Sequence, residues 1–437
     1  MPRRDKKNRN LRPGEYQSKS GRYEYRYIDV DGKKKSVYSW RLVDTDKTPP
    51  KKKETKTLRQ LEDEIAVNLE KGVHGNGAGL TTLNDEFDKW YGKITSLPPE
   101  KQRLKPSTLV AYRNTYNQHV RCSLGNKKVK EVSRMDLVDF YLKKITDDRL
   151  DYARIKNIHN ALSKCFIRCE DDREIKFNPC VGALDKLKEL VYVEEKKRKA
   201  LTKREQDIFA EELANPKYRL LRPIFVFMLG TGCRASEAIG LTWDDVDFEN
   251  NTVSINHQAA YLNLDGEGSK CVVTPCKTKS AVREIPMIES VRLCLLDTRQ
   301  KQNEQGIECD QVLHDITGKL AKKEYSGFVF LNKVRHVYSN SSLDECIKRI
   351  VKKYNQREAA AAVEENRDPE LLPLFSCHTL RHTFITRFAE CESNIKLIQD
   401  IAGHSDFHTT MNIYNEIQEE LRKEKLGSLA PRIKIWH

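Results

Sequence analysis

Ser376-Cys377-His378-Thr379-Leu380-Arg381-His382-Thr383, followed by Gly403-His404 and a lone Tyr414, gathers imidazoles, a guanidinium and a phenol near the C-terminal end of the chain. A second guanidinium stands upstream in Gly230-Thr231-Gly232-Cys233-Arg234-Ala235-Ser236-Glu237. Attack at the phosphorus of a diester concentrates charge on the non-bridging oxygens, and fixed cations stabilise that charge best where water is excluded. Arginine suits the task because its planar fork donates two parallel hydrogen bonds. Arg234 and Arg381 are therefore the candidate clamp, with Glu237, one helical turn from Arg234, as the group that buttresses its guanidinium. His378 and Arg381, at i and i+3, share one face of a helix beginning near Thr379, so both reach the same phosphate. Gly403 ends a helix and lets the backbone bring His404 close to a ligand. Taken singly, each arginine reads as a surface residue and His404 as a turn histidine; their combination carries the weight.

Tyr414 is the only tyrosine after Tyr354, so the identity of an available phenol is not in doubt. A phenol ordinarily ionises at ~10, so a tyrosine attacks only where cations and a base favour the phenolate. The product, a phosphotyrosine ester, conserves the energy of the broken bond and needs no ATP to be rejoined. The departing sugar oxygen needs a proton, which a lysine on a mobile hairpin supplies. Pro275-Cys276-Lys277-Thr278-Lys279-Ser280 joins two expected strands; Lys277 is the first choice and Lys279 the reserve. His378 and His382 have the i, i+4 spacing of zinc ligands, but no acidic or cysteine third ligand recurs at metal spacing. No metal and no cofactor are expected.

Upstream, the pattern divides the chain. In Arg22-Tyr23-Glu24-Tyr25-Arg26-Tyr27 aromatic and charged residues alternate with period two, as in a strand with one apolar face. Asp31-Gly32 supplies a hairpin turn, Ser36-Val37-Tyr38-Ser39-Trp40 returns, and Leu58, Leu61, Ile65 and Leu69 mark a covering helix. A sheet with one helix and a basic face is a plausible groove reader, or else a basic protein–protein module. Gly72-Val73-His74-Gly75-Asn76-Gly77-Ala78-Gly79 reads as a linker. Residues 81–192 read as four amphipathic helices, the last closed by Asn178-Pro179; helices alone identify no function. Glu194–Lys199 is a charged connection, and Thr202-Lys203-Arg204-Glu205 a capping box. An apolar helix over 220–229 and strands at 252–255, 271–274 and 283–286 follow. Residues 357–370 look like an insertion or a mobile loop.

The 437 residues carry a net charge of +14, and residues 1–60 hold 19 Lys and Arg against 8 Asp and Glu. A basic block of that kind points to a polyanion, since neutralising phosphates releases counterions. Met1–Arg12 alone reads as a solvated, disordered tail. The longest apolar run, Pro223–Leu229, falls far short of the ~20 residues of a membrane span, and no secretory signal is expected at Met1–Lys7. Twelve cysteines, none in a Cys-x-x-Cys pair, read as reduced core thiols of a soluble cytoplasmic protein.

Arg234, Lys277, His378-Thr379-Leu380-Arg381, His404 and Tyr414, in that order, resemble the tyrosine recombinase (phage-type integrase) family, and among its members the integrases of conjugative transposons. The resemblance implies a multidomain α+β fold: an arm-type DNA-binding domain over 1–72, a helical core-site-binding domain over 80–192, and a mostly α catalytic domain with a small β-sheet over 200–437. It implies that Arg234 and Arg381 clamp the scissile phosphate and that Lys277 is general acid to the 5′ oxygen. His378 becomes proton acceptor or phosphate ligand, His404 a further phosphate hydrogen bond, and Tyr414 the 3′-phosphotyrosine nucleophile. The implied partners are double-stranded DNA at core and arm sites, a homotetramer with dimer intermediates, an excisionase and a host DNA-bending protein, with no membrane. The tail 416–437 is expected to dock on a neighbour through Ile417, Leu421 and Leu426. A type IB topoisomerase, which needs no site specificity, and a non-catalytic DNA-binding regulator, which leaves no covalent adduct, are the rival readings.

Overall fold

Aromatic alternation becomes a three-stranded antiparallel sheet in which β1 (Glu15–Gln17), β2 (Tyr23–Ile28) and β3 (Lys34–Ser39) lie in sequence order. Tyr23 pairs with Ser39 and Ile28 with Lys34 across the hairpin. Gly32 takes the positive φ (+76°) that the turn requires; Asp31 lies outside the described residues. The computed structural model describes residues 3–30, 32–52, 55–70, 74–75, 81–192, 200–264, 268–408 and 410–415. They fall in two compact units, Met1–Glu195 and Lys196–His437.

In the first unit, Tyr23, Tyr27 and Val37 on one sheet face meet Leu58 and Ile65 of α1 (Leu58–Glu70) in a small core of their own. The opposite face carries Arg22 over the rings of Tyr38 and Trp40, and Arg26 over Tyr16. Residues 3–12 are not the disordered tail that their composition suggests. Asp5 accepts from Arg9 Nε (2.7 Å) and from the Tyr23 hydroxyl (2.9 Å), and Arg9 forks onto Asp46 at 3.0 Å through both Nη atoms. Partners distant in sequence offset the ordering entropy, and composition does not report them. Two residues of the expected linker are also held. His74 Nδ1 lies 2.8 Å from Asp29 Oδ2, and the Gly75 N–H donates to Asp29 Oδ1 at 2.8 Å. The His74 N–H donates to the Arg173 carbonyl at 3.0 Å.

The bundle of the first unit comprises α2 (Leu83–Thr95), α3 (Pro106–His119), α4 (Arg134–Thr146), α5 (Tyr152–Asp171) and α6 (Ala183–Leu190). Thr82 and Ser133 open α2 and α4 with capping boxes. The expected stripes point inward: Leu83, Phe87, Tyr116, Leu137, Tyr141, Ile158 and Phe166 are buried, with the Phe87 and Tyr116 rings stacked at 3.7 Å. Asn178-Pro179 does not close α5. That helix ends at Asp171, two residues before Arg173 takes a left-handed φ of +54°, and Asn178 Oδ1 accepts from the Cys180 N–H in the turn leading to α6.

The second unit begins its helices with α7 (Lys203–Leu213), capped by Thr202, and the apolar α8 (Arg222–Thr231), followed by α9 (Ala235–Gly240). Then come β4 (Val246–Asp247), β5 (Thr252–Ile255), β6 (His257–Leu262), β7 (Lys270–Pro275) and β8 (Arg283–Pro286). β7 and β8 do not form the hairpin expected around Lys277. β8 joins β5 and β4 in one sheet while β7 pairs with β6 in another, so residues 276–282 cross between two sheets. Further on are α10 (Glu289–Gln305), β9 (Leu313–His314), β10 (Glu324–Tyr325), α11 (Asn340–Glu364), α12 (Cys377–Cys391) and α13 (Ile395–Ala402). Residues 357–370 are not a mobile loop: 357–364 complete α11, and the turn beyond is tied by ion pairs from Arg367 to Glu358 and Glu365. Arg357 also reaches Glu212 and Arg204 reaches Glu370, so charge that reads as solvated is paired across elements. The cysteines are free thiols, most of them buried. No helix among the described residues is long and apolar enough to cross a membrane. The connection 194–199 and the tail 416–437 lie outside the described residues.

Candidate functional site

The site is built where three helix ends meet. Gly232 closes α8 at φ +64°, and a Cβ there would lie 2.3 Å from the Phe384 ring, so only glycine allows this approach of α8 to α12. The chain then turns directly into α9, with Arg234 as its first flanking residue. Glu237, fully buried, receives Arg234 twice: the N–H reaches Oε2 at 3.0 Å and Nη1 reaches Oε1 at 2.6 Å. The buttress expected from the spacing is therefore present.

Ser376 opens α12, and the Cys377 N–H anchors the helix to Asp344 Oδ1 at 2.8 Å. One turn on, Arg381 is only 2% exposed; its Nη1 donates to the Gly232 carbonyl at 2.7 Å and its Nη2 to the Ala402 carbonyl. Burial pushes this guanidinium down to about 9, with Arg234 and Arg283 adding to the shift, yet it stays protonated at neutral pH. His378, on the same face of α12, is exposed.

Arg283 is not among the residues that the sequence singles out. Its side chain is 6% exposed and donates through Nη2 to Glu237 Oε2 at 3.1 Å, through Nε to the Ile401 carbonyl at 2.9 Å, and through Nη1 to the Ala281 carbonyl at 2.7 Å. Three arginines consequently divide the end of α13 among them. Ile401 O accepts from Arg283, Ala402 O from Arg381 and Gly403 O from Arg234 (3.1 Å). The last carbonyls of a helix lack partners within it and carry the negative end of its dipole, so three cations in register satisfy both. Glu237 bonds Arg234 and Arg283, and Arg381 feels its charge, so one carboxylate falls short of neutralising the three guanidiniums.

Gly403, at φ +64°, ends α13 as its sequence predicts and delivers His404. The His404 ring is pushed down to about 4, first by burial and then by Arg381, Arg234, Arg283 and His378. It is neutral at physiological pH, with Nδ1 3.0 Å from the hydroxyl of buried Thr410. Arg234, Arg381, His378 and His404 are thus brought together. Cys276, beside Lys277, is pushed up to about 12 by burial and also feels Glu237, Arg283 and Arg234, which puts the start of the crossing segment at the cluster. Lys277 and Lys279 are both exposed. Tyr414 keeps different company: with Ile413, Phe384 and Phe388 it packs on Ile385, Ala389, Ile398 and Ala402. Among the described residues no hydrogen bond joins its hydroxyl to the arginines.

Residues 199–420 match the model of the phage integrase family, residues 1–69 that of the DNA-binding domain of Tn916 integrase, and residues 97–145 that of the phage integrase N-terminal SAM-like domain. The chain is 30% identical over 419 residues to the transposase from transposon Tn1545 of Streptococcus agalactiae, covering 94% of this chain and 93% of the relative. It is equally similar to the transposase from transposon Tn916 of Enterococcus faecalis. Among solved structures it resembles the Tn1549 transposon integrase in complex with a circular intermediate DNA, at TM-score 0.61 and 25% identity, over 78% of this chain and 99% of that one. The same integrase in complex with transposon right end DNA gives the same score and coverage.

Proposed function

Because this chain belongs to the phage integrase family, we propose that its buried arginine cluster is the phosphate clamp of a DNA strand-transfer site. The protein is a tyrosine-type site-specific DNA recombinase that integrates and excises a mobile element of the conjugative-transposon kind. The observation that supports the clamp is the convergence of Arg234, Arg283 and Arg381 on one helix end, with Arg234 and Arg283 also sharing one carboxylate. A site with more buried cations than anions favours an entering phosphodiester, and most of all one gathering charge in the transition state.

In the proposed reaction Arg234 and Arg381 hold the non-bridging oxygens. The Tyr414 hydroxyl oxygen attacks phosphorus, the bond to the 5′ oxygen breaks, and Lys277 gives that oxygen a proton. His378 receives the phenolic proton or supports the phosphate, and neutral His404 donates one more hydrogen bond. A 3′-phosphotyrosine link and a free 5′ hydroxyl result; reversal on a new partner strand rejoins DNA without metal or ATP. Tyr414 must leave its apolar packing to attack. Residues 1–72 would bind arm sites, 80–192 core sites, and 200–437 carry the chemistry. Four protomers would act on two DNA duplexes through dimer intermediates, in the bacterial cytoplasm, with an excisionase and a host bending protein setting direction.

The test is a suicide duplex spanning the joint between the element and its flank. The parent protein should form a covalent adduct visible on a denaturing gel. Tyr414→Phe should bind the duplex and form none; an adduct that persists in this variant overturns the assignment of the nucleophile.

A further inference from the structure

We propose that Arg283 is a positioning residue for strand cleavage: it fixes Arg234 through Glu237 and sets both against the end of α13. The inference rests on the clamp reading above and extends it to a residue that the ordered motif does not contain.

Arg283 opens β8, paired with Ile255 in the sheet, which makes it rigid at the backbone. From there its guanidinium spans three separate pieces of chain: Glu237 on α9, Ile401 at the end of α13, and Ala281 on the segment that carries Lys277. Gly403 closes over it so tightly that a Cβ there would lie 3.1 Å from Arg283 Nη1. With 6% of its side chain exposed, against 24% for Arg234, Arg283 sits behind the group that faces the phosphate. Glu237 uses one oxygen for the Arg234 fork and the other for Arg283. Its carboxylate plane is therefore set from both sides, and the direction of Arg234 follows from that plane. A cation in this place also lets a fully buried carboxylate stay ionised between two guanidiniums.

The geometry separates this role from simple core stability. Lysine at 283 retains a charge for Glu237 but cannot also bond Ile401 and Ala281 in the plane of a fork. Arg283→Lys should bind the suicide duplex within about 3-fold of the parent and melt within a few degrees of it. Its single-turnover cleavage should fall on the order of 100-fold, the effect of a small misplacement of a reacting group. In an Arg234→Lys background the same substitution should add less than about 3-fold, because residues acting in series are not additive. The proposal is overturned if Arg283→Lys cleaves like the parent. It is equally overturned if binding, melting and cleavage fall together, or if the two losses multiply. If Arg234→Lys alone leaves cleavage intact, the clamp reading fails rather than this extension of it.

Discussion

His404 Nδ1 and Thr410 Oγ1 lie 3.0 Å apart, which ties the turn after α13 to the helical segment that carries Tyr414 one turn later. Thr410 and Tyr414 stand at i and i+4, on one face. A hydroxyl donating to Nδ1 of a neutral ring leaves the proton on Nε2, where it is available to an incoming oxygen. Thr410→Val should therefore lower single-turnover cleavage on the order of 5-fold, the worth of a hydrogen bond of about 1 kcal/mol, with duplex binding unchanged. Retention of the full rate would show that Thr410 does not set the tautomer.

The same imidazole gives a pH dependence with a definite sign. Its ordinary pKa of 6.5 is depressed to about 4 by burial and the arginines, so the unfolded chain binds a proton more readily than the folded one between those values. The stability that neutral His404 contributes is complete above pH 6.5 and is lost as pH falls toward 4. Imidazole NMR should find this ring titrating near 4; a midpoint at 6 or above would refute the burial argument.

Glu237→Gln should destabilise the second unit by about 3–5 kcal/mol, because it leaves the buried Arg283 guanidinium, and Arg234 beside it, without their carboxylate. Burial works to raise the Glu237 carboxyl, but Arg283 and Arg234 outweigh it and hold it below the usual glutamate range. Its contribution is thus present above the ordinary pKa and lost as pH falls through the depressed one. Thermal unfolding at pH 7 checks the cost: an unchanged melting temperature would refute it.

Gly403→Ala combines a left-handed φ of +64° with a Cβ 3.1 Å from Arg283 Nη1 and 3.2 Å from Ala281 Cα. The backbone alone should cost about 1–2 kcal/mol. Cleavage should suffer more than DNA binding does, because the displaced atoms belong to the arginine cluster; the two losses compared on one duplex decide.

Removing residues 1–72 should abolish arm-site binding and spare core-site cleavage. Tyr23, Tyr27, Val37, Leu58 and Ile65 form a core that shares no side chain with the bundle core. Footprinting on arm and core DNA reads both outcomes, and loss of core cleavage would show that the sheet module is needed there.

How far the sequence could be read follows from how local each signal is. The candidates Arg234, Lys277, His378, Arg381, His404 and Tyr414 stand out because phosphoryl chemistry restricts residue type, and the structure gathers four of them, Arg234, His378, Arg381 and His404. Helical stripes and capping boxes are legible because they repeat within a few turns. Arg283 is not, since an arginine beginning a strand looks solvated until Ile401, 118 residues away, closes over it. Strand pairing failed for a related reason: neighbours in sequence pair only roughly two-thirds of the time, and here β7 and β8 belong to different sheets. The order of the charged runs at 3–12 and 357–370 is not legible because composition does not reveal that Arg9 finds Asp46 or that Arg357 finds Glu212.

Three successive carbonyls, Ile401, Ala402 and Gly403, each take a different arginine. A helix turns about 100° per residue, so inserting or deleting one residue in α13 would rotate every acceptor away from its donor at once. Outward positions such as Lys396 and Asp400, which pair with each other, are free to vary. The length of α13 is not: it works as a ruler, and relatives of this enzyme that diverge along its outer surface should still count the same number of residues before the glycine.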